Sequence, residues 1–441
     1  MFPYQDPNLP VEERLDDLLL RMTTEEKIMQ TDQYFSGDFT TQDENGKVVA
    51  MDMQRFAELM HGNSVGSVQL RGMTAAQANT VQRYAVENTR LGIPFLFSEE
   101  ALHGLFTNNA TSFPQQIGLA ATFEPALGRE MGHAIASEAR ACGIHETYSP
   151  VMDLIRDPRY GRTEESYGED THLCAEFARE TVRGMQGQDL KNPDTVAAEP
   201  KHYVGYGNPV GGLNCAPSTM GRHDVFSDCL PVFEAAFVDG KACDAMCSYN
   251  SIDSIPVSMD HEILTDVLRD RYGMPGFVRS DMTAVSRLYD WHFIAETPEE
   301  AIRLGLEAGV DLQLYDFPHD VWQNAIACLI EEGKMKMSVL DTACRRVLRM
   351  KFLLGLFENP FTDENRAESV LRCPKHLAVA EKIAEKSIVL LKNDGLLPLK
   401  KNLQRVAVIG PAADTVSYGD YTEYRGREGL SLIHISEPTR Q

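Results

Sequence analysis

Short apolar runs that alternate with helix-like stretches constrain this chain more than any other feature. The runs are VGSVQL (65–70), IPFLF (93–97), IHETYSPV (144–151), TVAAEP (195–200), DAMCSY (244–249), GFVRS (276–280) and VDLQL (310–314). Helix-like segments lie between most of them, at 123–143, 170–186, 228–240, 261–272 and 298–308. This alternation predicts parallel βα units and an α/β fold. Seven strands are visible, one short of a closed (β/α)8-type barrel, and an open doubly wound sheet fits the same pattern.

Local signals fix several helices. Leu15, Leu18, Leu19 and Met22 recur at helical spacing. Thr23 with Glu26, and Thr74 with Gln77, form capping boxes that start further helices. Residues 337–357 read as a long amphipathic helix that closes a first domain, 1–357. A polar linker, 358–380, follows. Residues 381–430 then open a second α/β unit, with a helix and a strand at RVAVIG (405–410), too short to complete a domain. The closing string SLIHISEPTRQ (431–441) continues no periodicity and reads as a non-native tail.

Composition narrows the function. Of 441 residues, 42 are Lys or Arg and 65 are Asp or Glu, a net charge of −23. Such a surface repels phosphates and anionic lipid, which argues against nucleic-acid and membrane-surface roles and favours a neutral or cationic ligand. The nine cysteines are scattered without a CxxC pair, as expected of reduced, buried thiols rather than a zinc site. No apolar run reaches the ~18–20 residues of a membrane span. The N-terminal MFPYQDPNLPVEERLDD is acidic and polar rather than signal-like, so the expected location is cytoplasmic.

In parallel βα folds the active site forms at the C-terminal ends of the strands. Those positions carry Glu100 and His103 after IPFLF, Asp153 after ETYSPV, Lys201-His202 after TVAAEP, Tyr249 in DAMCSY, and Asp281 after GFVRS. Asp281 reads equally as a catalytic carboxylate and as a helix N-cap. Lys201 and His202 suit neutral hydroxyls, yet a surface Lys and a core His explain them as well. Arg162, in the acid-rich GRTEESYGED, can hold its own loop by salt bridges or grip two oxygens of a ligand. Glu100 by itself reads as a solvated loop residue. GYGNPVGG (205–212) and VAVIGPAAD are weak matches to phosphate or dinucleotide loops.

Taken together, SEEALHG, TSFPQQIGLAATFEPAL, DPRYGRTEESYGED, PKHYVGYG, MCSYNSI, GFVRSDMTAV, AGVDLQL and KSIVLLKNDGLLPL resemble glycoside hydrolase family 3. They occur in the family's order over about residues 3–425, and their details look most like its β-glucosidase and β-xylosidase branch. The resemblance implies a (β/α)8-related barrel followed by an α/β sandwich domain. It implies removal of a terminal β-linked sugar with retention, through a covalent glycosyl-enzyme, from β-linked glucosides, xylosides or oligosaccharides. The nucleophile would be Asp281. The sugar would be held by Glu100, Arg162, Lys201, His202 and Tyr249, with Met246 lining the subsite. No metal or organic cofactor is required. Retention needs two carboxyls about 5–5.5 Å apart. A nearby Lys201 or Arg162 would keep the nucleophile ionised.

Three departures from the family pattern stand out. Met282 follows Asp281 where the family commonly has Trp, removing an aromatic wall. Glu100 stands where many relatives have Asp, and its longer side chain fits the xylosidase-like branch. The family's acid/base Glu lies on the second domain, and no residue here matches its motif; Arg222-His223-Asp224 does not match the alternative Asp-His acid either and reads as structural. The expected activity is β-glucosidase first and β-xylosidase second. A non-catalytic sugar-binding fragment is the reading from another class. A phosphorylase would need an anion site, against which the net charge argues mildly.

Overall fold

Strand pairing follows chain order. In the computed structural model, which describes residues 2–43, 46–107, 109–413 and 419–422, Gln33–Phe35 pairs in parallel with Ser67–Gln69. Leu96–Glu99, Glu146–Thr147 and Ala197–Ala198 follow, all parallel. Backbone bonds carry the series on. The Met246 amide donates to Pro200 (3.2 Å) and the Tyr203 amide to Met246 (2.8 Å). Ala245–Cys247 pairs in parallel with Val278–Ser280, and Arg279 bridges to Leu312. The Gln313 amide then donates to Thr31 (3.1 Å), beside the first strand. The backbone contacts therefore return to where they began.

Six of the seven expected strands contain a paired strand, and 310–314 contributes the single bridge at Leu312. Besides two short antiparallel pairs, Thr40–Gln42 with Val48–Met51 and Ser251–Ile252 with Ile255–Pro256, the strand added to the parallel series is Gln33–Phe35. It is three residues long and follows the polar Gln30, Thr31 and Asp32, so it lacks the apolar run by which the others are recognised. Both capping boxes form: Thr23 and Glu26 cap Thr24–Met29, and Thr74 and Gln77 cap Ala75–Asn88. The helices Pro125–Ala141 and Thr171–Gln186 pack closely because glycines let their backbones meet. A Cβ on Gly132 would lie 2.6 Å from the Thr181 carbonyl oxygen, and one on Gly184 2.3 Å from that of Arg129.

The face of the strands turned away from the helices is polar. Arg279 is fully buried and binds Glu199 (Nε to Oε2, 2.9 Å), Glu146 and Gln33. Gln33 donates to the Tyr148 hydroxyl (2.9 Å), which meets Ser98 (2.7 Å), which in turn meets Ser67 (2.9 Å). Burial pushes Glu146 up to about 8, although Arg279 opposes it. Side chains two residues apart on a strand point the same way. Glu100 therefore follows Ser98, Lys201 follows Glu199 and Asp281 follows Arg279, each one step beyond an interior polar residue.

After Lys386 the pattern changes. A helix, Pro374–Lys386, begins inside the segment expected as linker and runs into the second unit, but 405–410 forms no strand. A strand needs a hydrogen-bonding neighbour, and among the described residues nothing pairs with this segment. Its Val406 and Ile409 are exposed. The expected tail at 431–441, and parts of 381–430, lie outside the described residues. Of the nine cysteines, six are buried, Cys142 and Cys373 are half-buried, and Cys328 is exposed, unlike the uniformly buried set expected. Among the described residues no helix is long and apolar enough to cross a membrane.

Candidate active site

The strand ends bring Glu100, Arg162, Lys201, His202, Tyr249 and Asp281 together. Lys201 Nζ donates to Glu100 Oε2 at 2.8 Å, with both side chains largely buried. Burial opposes the charge on Lys201, but Glu100, then Tyr421 and Asp281, hold its pKa above the ordinary lysine value. Burial raises the Glu100 carboxyl, and Lys201 opposes that rise.

Arg162 does the first of the two things its sequence context allows. Its Nε and Nη2 fork onto Glu165 at 2.8 Å each, fixing the loop. Nη2 also reaches His202 Nε2 at 3.0 Å. A guanidinium can only donate, so Nε2 accepts and the imidazole proton resides on Nδ1. There it donates to Asp153 Oδ2 at 2.7 Å. Burial, followed by Arg162 and Lys201, holds the His202 pKa well below its ordinary value, so the ring is neutral. Burial lifts Asp153 to about 7 against the pull of Arg162. Both ring nitrogens of His202 are therefore engaged, Nδ1 to Asp153 and Nε2 to Arg162.

Asp281 is 8% exposed. Its Oδ1 accepts from the Met282 amide at 2.7 Å, closing a tight turn. It is not the cap of the next helix, Arg287–Asp290, whose N-cap is Ser286. Asp281 Oδ2 is buried, lies 3.4 Å from His202 Nε2, and has no hydrogen-bond partner. Tyr249 lies against the same carboxylate; burial, then Asp281, holds its phenol above the usual range. A buried carboxylate oxygen without a partner is costly. It leaves an acceptor free beside Tyr249 and His202.

Met246 is buried beside these groups, packed against Tyr148 and Leu314. Met282 is exposed. Arg222 is a structural anchor: it binds Asp260 at 2.8 Å, and Glu262 as well.

Several neighbours escaped the sequence reading. Tyr206 stands edge-on to His202 (4.9 Å between rings) and lies 5.5 Å from the Tyr249 ring. Its signal was an aromatic side chain four residues past the Lys-His pair. Tyr421 comes from Gly419–Thr422, far along the chain. Lys201 Nζ sits 5.0 Å from the Tyr421 ring centre, and Arg162 Nη2 is 3.5 Å from its hydroxyl. His103 fixes that segment through the Asp420 carbonyl (2.8 Å), and the Asp420 amide donates to Glu164 (2.9 Å). No local pattern in GDYTEY signals that contact.

Residues 23–350 match the model of the glycosyl hydrolase family 3 N-terminal domain, and 388–433 match that of its C-terminal domain. A putative β-xylosidase of Formosa agariphila is 35% identical over 418 residues, covering 92% of this chain and 54% of that protein. A periplasmic β-glucosidase of Salmonella typhimurium is 34% identical over 409 residues, covering 90% and 50%. The chain spans about half the length of the curated relatives it matches. Among solved structures, a β-glucosidase of Erythrobacter marinus superposes with a TM-score of 0.89 at 34% identity, over 98% of this chain and 57% of that one. The Listeria innocua β-glucosidase in complex with glucose gives 0.83 at 32%, over 94% and 57%. With the model of its N-terminal domain matched over 23–350 and relatives this similar, the chain belongs to glycosyl hydrolase family 3.

Proposed function

We propose that the chain carries the sugar-binding and nucleophilic half of a retaining, exo-acting β-glycosidase that acts on terminal β-D-glucose. In this reading the parallel strands close as a (β/α)8-type barrel within 1–357, 358–380 is the linker, and 381–430 begins an α/β sandwich. The cleft formed by Glu100, Arg162, Lys201, His202, Met246 and Tyr249 holds the sugar. Asp281 Oδ2 attacks the anomeric carbon, and the bond to the leaving group breaks as the covalent glycosyl-enzyme forms. Water then releases the sugar with its original configuration. Positive charge grows on the sugar in both steps, and the buried carboxylate opposes it directly.

The observation that carries this reading is the partnerless Asp281 Oδ2, buried beside the neutral His202 and Tyr249. Lys201 and Arg162 supply donors to sugar hydroxyls, and the Glu100 carboxylate supplies an acceptor. An activated phenol leaves without a protein acid, so the Asp281 step is accessible by itself. Asp281→Gly tests the assignment. It should abolish release of nitrophenol from an aryl β-glucoside, and azide should restore it by forming the α-glycosyl azide. Release that survives in Asp281→Gly without azide would overturn it.

β-Xylosidase activity is the second reading. It rests on Glu100, a longer acid held to Lys201, and on the names of the Formosa relatives. The ratio of turnover on aryl β-glucoside to aryl β-xyloside decides between the two. The thiols fit a reducing compartment and hence a cytoplasmic location, whereas the Salmonella relative is by name periplasmic.

A further inference from the structure

The loop after Asp281 displays side chains that a chain ordinarily hides. Trp291 is 49% exposed and Phe293 79%, and Met282, Tyr289 and Ile294 are exposed beside them. Clustered exposed apolar side chains mark binding sites. This loop is also tied to the catalytic cleft. The His292 ring donates from Nε2 to the Tyr249 carbonyl at 2.9 Å. The Arg287 guanidinium lies 5.0 Å from the Tyr249 ring centre and 5.2 Å from that of Trp291. Arg287 makes no ion pair among the described residues, and its buried Nε has no partner, so two aromatic faces fix its position. Tyr249 itself lies against Asp281. A stacked path, Tyr249 to Arg287 to Trp291, therefore runs from the nucleophile to the exposed indole.

We propose that Trp291 is the platform for the leaving group, a specificity-determining residue that selects flat, aromatic aglycones. The proposal deepens the reading of the sugar site above and rests on it. A ring attached to the anomeric oxygen offers a π face to Trp291 and apolar edges to its neighbours. A second sugar offers hydroxyls, for which the polar groups of this loop are Arg287, Asp290 and His292.

The test uses two uncleavable probes, phenyl and methyl 1-thio-β-D-glucopyranoside, titrated by calorimetry into the full chain. Aromatic pairing energies predict that the phenyl compound binds about five- to tenfold more tightly than the methyl one. Trp291→Ala should bring that ratio close to one, and Trp291→Phe should keep most of it. The chain has two tryptophans, and Trp322 is fully buried. In the parent the phenyl probe should therefore shield one exposed tryptophan from acrylamide quenching, while Trp322 emission reports that Trp291→Ala is folded. A ratio unchanged in folded Trp291→Ala overturns the proposal. So does a shift of that variant from dimer to monomer in sedimentation with the ratio unchanged, which would make the face an interface between copies. Failure of both probes and of glucose to bind would overturn the sugar-site reading and this proposal together.

Discussion

GFVRS at 276–280 and RVAVIG at 405–410 are similar strings with opposite fates. In the first, Phe277, Val278 and Arg279 are fully buried. In the second, Val406 is 67% exposed and Ile409 89%. The first has parallel neighbours on both sides, Ala245–Cys247 and Leu312. The second has none among the described residues. Strand propensity is thus realised only where a neighbour takes up the backbone hydrogen bonds. The site inherits the same contrast, since almost all its side chains stand on paired strand ends.

The comparison is broken most severely at Arg279. Arg279→Met should destabilise the fold by about 3–5 kcal/mol, because it leaves Glu146 and Glu199 buried without their cation. Chemical denaturation measures it. Lys201→Met acts at the rim rather than the floor. Losing its charged hydrogen bonds should weaken glucose binding about ten- to hundredfold, read by calorimetry.

His319 sharpens the comparison at the seam where the last strand position meets the first. It pairs with Asp32 at 3.0 Å and stacks on Tyr34 at 3.6 Å. Burial opposes its charge, but Asp32 and Asp38 outweigh this and lift it to about 9 from 6.5. A raised histidine contributes its stability fully below pH 6.5 and loses it as pH rises through about 9. His319→Gln should therefore trail the parent by about 3 kcal/mol at pH 6 and converge with it near pH 10, followed by thermal unfolding. The smallest effect belongs to the unpaired region. Leu391→Ser, at a side chain 92% exposed, should change stability by less than about 0.5 kcal/mol.

Much of the cleft was legible because its members occupy strand ends. Lys201-His202, Asp281 and Tyr249 follow runs whose apolar outer faces announce them. The residues below them were not legible. Arg279, Glu199 and Glu146 lie inside segments that read as buried strands, and nothing local reveals that three such strands face one another. Gln33–Phe35 was missed because it offers only Tyr34 and Phe35 as an apolar signal, while Gln33 turns to that polar interior. The tautomer of His202 follows from Arg162, 40 residues earlier, which no spacing predicts. Tyr421 depends on a contact across more than 200 residues. RVAVIG was read correctly as apolar, but sequence does not show whether a partner strand is present.

The most direct test of Asp281 is covalent trapping. The chain is incubated with 2,4-dinitrophenyl 2-deoxy-2-fluoro-β-D-glucopyranoside, whose leaving group needs no acid and whose fluorine slows release of the intermediate. The account predicts an intact mass raised by one fluoroglucosyl unit, a modified peptide that maps to Asp281, and no adduct in Asp281→Asn. A chain that binds glucose yet never acquires the adduct, or that carries it on another residue, would contradict it.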